Sequence, residues 1–128
     1  MDSLNLQRLL KLQREFVAER EWARFHTPKN LTMALAVEAA ELMEIFQWLS
    51  QQEARTIQRD PAKGQAVTEE MADVFYYLLR LADVLKVDLE RAFVEKMEKN
   101  RAKYPVRLAR GSARKYDEFL RRKGLNPR

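Results

Sequence analysis

Cysteine is absent from the 128 residues. Disulfides, thiolate metal sites, iron–sulfur clusters and cysteine nucleophiles are excluded with it, and the chain suits a reducing interior, so the cytoplasm is the expected compartment. Glycine and proline number 3 and 4. That is too few for a turn-rich β architecture, and no glycine-rich phosphate loop or dinucleotide fingerprint occurs. The single histidine, His26, rules out the Glu-x-x-His motifs that a di-iron bundle needs on two helices. No long apolar run occurs and the first sixteen residues carry charge throughout, so neither a signal peptide nor a membrane span is expected.

What is present is helical periodicity, nearly continuous from end to end. The length gives one domain with a core of its own, and the class expected is all-α, a four-helix-bundle-like fold. A first helix is predicted over about Ser3 to Arg24. A second opens at the cap pair Thr27-Pro28 and runs to about Gln51; a polar connector, 52–64, holds another cap-like pair, Asp60-Pro61, and a possible short helical turn, and a third helix follows to about Lys86. A fourth starts at the cap residue Asp88 and stops at Pro105. Residues 1–110 are read as the domain and 111–128 as a basic tail, with a possible short helix from Tyr116 to Lys123. The net charge of +5 gathers after Lys99 and suits a polyanionic partner without choosing among nucleic acid, an anionic surface and a phosphate-rich small molecule.

Two helices depart from ordinary patterning in the same way. Leu31, Leu35, Leu42, Ile45 and Leu49 follow alternating four- and three-residue steps along one seam, and Glu38 fills the missing place. Glu41 lies one turn on. In the third helix Val67, Val74, Tyr77, Leu81 and Val84 repeat the series, with Glu70 in the gap and Asp73 three residues later. A second apolar row, Met71, Phe75, Leu78, Ala82 and Leu85, predicts burial of that helix on two sides.

Glu-x-x-Glu pairs are common on exposed helices, but two pairs set on apolar seams are another matter. Facing acids in a partly dry groove repel by several kcal/mol unless neutralised. A hard divalent cation resolves the conflict, and oxygen-only ligation favours Mg²⁺ or Mn²⁺ over zinc or copper. Mg²⁺ on carboxylates most often serves phosphoryl chemistry. Lys96, Asn100 and Tyr104 share a face of the fourth helix and could contact phosphate oxygens. Trp22, Trp48 and Tyr77 lie close in register to the acids and could hold a nucleobase, although such rings are more often core. His26 alone reads as a loop or capping residue.

The pair Glu38-x-x-Glu41 followed by Glu70-x-x-Asp73 resembles the metal signature of the MazG-like all-α nucleoside triphosphate pyrophosphatases. FHTPKNLTMALAVEAAELMEIFQW, EEMADVFYYL, VDLERAFVEKMEKNRAKYPV and ARGSARKY resemble the dCTP pyrophosphatase branch, from about Leu10 to Tyr116. The resemblance implies Mg²⁺-dependent hydrolysis between the α and β phosphates to a monophosphate and pyrophosphate. It implies that Glu38, Glu41, Glu70 and Asp73 are the metal ligands and catalytic acids. Lys96, Asn100 and Tyr104 would hold phosphates, Trp22, Trp48 and Tyr77 would line the base and sugar pocket, and His26 matches a position in the preceding loop. It further implies a homotetramer arranged as paired dimers. Where that branch has a histidine on the first helix near the base, this chain has Gln13, whose amide can both donate and accept.

Two other functions compete with the pyrophosphohydrolase. A basic helical module that binds nucleic acid without catalysis would need Arg101, Arg107, Arg110 and Arg114 and no metal, but the inward-facing acids count against it. Pyrophosphate cleavage on phosphoribosyl-ATP is a variant within the same superfamily, disfavoured by the aromatic residues near the acids. No membrane and no obligatory nucleic-acid partner is expected.

Overall fold

In this computed structural model, which describes residues 3–112 and 124, every described α-helix but the last begins where a short polar side chain caps it. The chain divides into two compact units, Met1–Val87 and Asp88–Arg128. The first contains α1 (Leu6–Glu19), a 3-10 turn at Ala23–Phe25, α2 (Pro28–Phe46), α3 (Gln51–Arg55), a second 3-10 turn at Ile57–Arg59 and α4 (Pro61–Leu85); the second contains α5 (Leu89–Lys103) and α6 (Val106–Ala109). Among the described residues there is no strand. The tail helix expected at Tyr116 to Lys123 lies outside them.

Each cap supplies an oxygen to otherwise unpaired amides of the first turn, worth about 1 kcal/mol apiece. Thr27 accepts from the Asn30 amide at 3.3 Å, Asp88 from Arg91 at 3.0 Å, and Asp60 from both Ala62 and Lys63 at 3.1 Å. Pro28 and Pro61 occupy the first helical positions, where no amide is missed. Part of the expected connector is itself helical: Ser50 and Glu53 form a reciprocal capping box that opens α3.

The helix ends depart from expectation. α1 stops at Glu19, not near Arg24, because Glu21 takes the left-handed conformation (φ 53°). The Trp22 amide then donates to the Val17 carbonyl and the Glu21 amide to that of Ala18, both at 3.1 Å, the paired bonds of a Schellman stop. Lys86 (φ 57°) ends α4 in the same way, with Val87 donating to Ala82 and Lys86 to Asp83. α2 ends at Phe46, and Trp48 falls in the turn beyond it.

α2 packs along α4, the principal contact between elements of the first unit. Every member of both predicted seams, the two glutamates included, is buried or half-buried. Val17, Leu31, Ile57, Val67, Leu79 and Ala82 form the core. Gly64 lets the second 3-10 turn close on α4: a Cβ there would meet Gln58 Oε1 at 3.0 Å and the Gln58 Cα at 3.2 Å. Of the second apolar row, Phe75 and Ala82 are covered, while Met71, Leu78 and Leu85 stay exposed. α1 is tied to α4 by a forked ion pair, Arg14 Nε and Nη2 donating to Asp83 at 2.9 and 2.6 Å. No described helix is long and apolar enough to cross a membrane.

Candidate active site

The seam positions bring carboxylates from α2 and α4 together. Glu38, Glu41 and Glu70 each offer an oxygen within 4.8 Å of the others. Glu38 Oε2 and Glu70 Oε2 are buried and accept no hydrogen bond. Two ionised carboxylates in this position are acceptors with no donor, and the conflict shows in the acidity of Glu38. Its pKa is pushed from 4.5 to about 7, first because a proton on Glu38 can be donated to Glu70, then by burial, then by Glu41. A proton or a cation satisfies the same pair of oxygens. The oxygen-only donor set and the two orphaned atoms fit a hard divalent cation. Asp73 stands outside this triangle, exposed, and joins Glu38 in the wall of the adjoining cavity.

That cavity, about 560 Å³, lies in the first unit and is walled by α1, the following turn, Glu38 of α2, and α4. Its volume falls within the range of small-molecule sites. Trp22, Phe16, Tyr76 and Tyr77 form a chain of edge-to-face rings with centroids 5.6, 6.3 and 5.1 Å apart. The chain ends at the acids. Burial raises the Tyr77 pKa, and the charges of Glu38 and Asp73 raise it further, so Tyr77 keeps its hydroxyl proton beside the cluster.

Gln13 is 5 % exposed. Its Nε2 donates to the Tyr76 carbonyl at 2.8 Å, which fixes the amide, since the flipped form would oppose two oxygens. Oε1 is left buried with no donor. His26 also lines the cavity. Its Nδ1 accepts from Arg80 Nε at 3.0 Å, and burial, then the Arg80 charge, hold its pKa below the usual value.

The remaining expected site residues are placed differently. Trp48 is 87 % exposed and does not line the cavity. Lys96 and Asn100 lie on α5 and Tyr104 caps its end, in the second unit, with Asn100 half-buried and the other two exposed. Phe16, Tyr76 and Arg80 were not anticipated as site residues. Nothing in the sequence sets Phe16 or Tyr76 apart from ordinary core aromatics, and Arg80 stands three residues before Asp83, the spacing of a routine helical ion pair.

Acids gathered beside an aromatic cavity on an all-helical fold suit a metal-assisted hydrolase of a phosphorylated small molecule. Known proteins of similar sequence narrow that class. The MazG-like family model matches residues 33–119. The dCTP pyrophosphatase 1 of Rattus norvegicus is 47 % identical over 116 residues, covering 91 % of this chain and 68 % of the rat protein. The dCTP pyrophosphatase 1 of Homo sapiens is 45 % identical over 114 residues, covering 89 % and 67 %. The crystal structure of a pyrophosphatase from Archaeoglobus fulgidus superposes with a TM-score of 0.71 at 43 % identity, covering 82 % of this chain and 96 % of that one. The chain belongs to the MazG-like family, in its dCTP pyrophosphatase branch. It is a nucleotide pyrophosphohydrolase.

Proposed function

We propose that this enzyme hydrolyses dCTP, or a related or modified pyrimidine deoxynucleotide, between the α and β phosphates, releasing the monophosphate and pyrophosphate. The observation that carries the reading is the convergence of Glu38, Glu41 and Glu70 on α2 and α4, with two orphaned buried oxygens, next to a cavity of nucleoside size. Glu38, Glu41 and Glu70, with Asp73 at the cavity wall, would hold Mg²⁺, for which Mn²⁺ could substitute. When bound, the ion offsets the charge of the triphosphate and polarises its oxygens. An ionised carboxylate of the cluster accepts a hydrogen bond from the attacking water, orients it and takes its proton. Tyr77, Phe16 and Trp22 supply the apolar wall for base and sugar, and Gln13 and His26 the polar groups within it. Trp48 completes the base-binding set inferred from the family. Lys96, Asn100 and Tyr104 would hold the phosphates, the role that the family resemblance implies for them.

Cleansing the cytoplasmic nucleotide pool of surplus or modified dCTP is the corresponding biological role. The exposed apolar residues Met33, Val37 and Met43 on α2 and Met71 and Leu78 on α4 support assembly with further copies, as the homotetramer of paired dimers. The test is product analysis with each common dNTP and NTP, in Mg²⁺ or in chelator. Metal-dependent dCMP and pyrophosphate, with dCTP ranked first, are expected. Diphosphate plus phosphate, or turnover undiminished by chelator, refutes the reading.

A further inference from the structure

Arg80 is a charged side chain 11 % exposed that is absent from the cavity wall, yet it reaches the one histidine of the chain. Its Nε donates to His26 Nδ1 at 3.0 Å, and its Nη1 lies 3.4 Å from Asp83 Oδ2. Asp83 in turn receives the two short bonds from Arg14. The guanidinium is therefore held from behind by a carboxylate that is itself clamped to α1. Arginine remains protonated and has donors alone. An imidazole nitrogen that accepts from it must be the unprotonated one, so the ring proton sits on Nε2.

We propose that Arg80 is a positioning residue that locks His26 as a neutral Nε2–H donor, and that this donor serves an uncharged acceptor atom of the bound nucleoside. The second half rests on the reading of the cavity as the nucleoside site; the first does not. Among the other groups lining the cavity, Gln13 spends one of its two amide N–H donors on the Tyr76 carbonyl. Glu38 and Asp73 are carboxylates, acceptors when ionised. His26 thus adds a polar hydrogen to a wall otherwise served by Trp22, the two tyrosines and the second amide hydrogen of Gln13. Because the ring is neutral, it favours a carbonyl oxygen, ring nitrogen or hydroxyl over a phosphate, which a cation would hold better. Arg80 acts on substrate only through His26.

A single histidine makes the test direct. Ring ¹⁵N and ¹³C NMR of the full-length protein at neutral pH is expected to show one tautomer, protonated at Nε2, with Nδ1 shifted as a hydrogen-bond acceptor. In Arg80→Met that signature is expected to relax to an exchanging mixture, while Asp83 keeps both bonds to Arg14 and the fold. In turnover assays Arg80→Met and His26→Ala should each raise KM for the preferred nucleotide roughly three- to tenfold, the worth of one neutral hydrogen bond, with the loss in KM rather than kcat. Adding Arg80→Met to His26→Ala should then cost nothing more. An Nδ1-protonated or mixed ring in the unaltered protein overturns the lock, whether or not the Arg80 variant folds. Additive losses in the double variant, with the tautomer as expected, overturn its service to substrate. Failure of every triphosphate as substrate would refute the nucleotide reading while leaving the NMR result to decide the lock.

Discussion

Replacing Glu38 by Gln should separate stability from function. Gln keeps the shape of the side chain, removes its charge, and offers an amide that can donate to the orphaned Glu70 Oε2. The cost relieved follows from the acidity of Glu38. The folded value of about 7 stands above the ordinary 4.5, so the native state binds the proton more tightly than the unfolded chain. This group therefore destabilises the fold progressively as pH rises from 4.5 to 7, and in full above 7. At ~1.4 kcal/mol per pH unit the gap is worth about 3 kcal/mol; discounted for water at the half-buried site, about 1–3 kcal/mol is expected. In metal-free protein at pH 8, Glu38→Gln should thus melt about 5–10 °C higher than the parent. At pH 4 the two should nearly coincide. Added Mg²⁺ should stabilise the parent far more than the variant, and the variant should hydrolyse no triphosphate. Thermal melts in chelator at the two pH values, repeated with Mg²⁺, check each step. A variant less stable than the parent at pH 8, or a difference independent of pH, would refute the reasoning.

The helix ends and the close approach at Gly64 give further outcomes. Lys86→Gly relieves a side chain in left-handed backbone and should stabilise the fold by about 0.5–1 kcal/mol, read as a higher urea midpoint with unchanged slope; Glu21→Gly should behave alike, and loss of stability in both would contradict the conformational argument. Gly64→Ala sets a Cβ against Gln58 at 3.0 and 3.2 Å, where the backbone atom has little room to yield. The crowding should outweigh the helix-propensity gain and cost a net ~1–2 kcal/mol in the same measurement.

The amphipathic series was legible because a helix places residues three and four apart on one side. Leu31 to Leu49 and Val67 to Val84 could therefore be aligned, and the intrusion of Glu38 and Glu70 seen, without knowing the partner of either helix. Cap pairs were legible for the same local reason, and Thr27-Pro28, Asp60-Pro61 and Asp88 open helices as read. The stops at Glu21 and Lys86 were not, since each adopts a conformation whose usual signal is glycine. Spacing along α4 pairs Glu70 with Asp73, but which acids meet across the crossing depends on helix rotation, which admits Glu41 to the triangle and leaves Asp73 at the cavity. The bond from Arg80 to His26, 54 positions apart, has no periodic signature at all. Nor has the ring chain from Phe16 to Tyr76, whose members look like core wherever they occur.

The two seam glutamates lie in the packing surface on which the first unit depends, where leucine would serve stability better. A laboratory selection that rewards heat resistance alone would be drawn toward positions 38 and 70 and would return hardened, inert scaffolds. Activity has to be kept under selection in every round for the acids to persist.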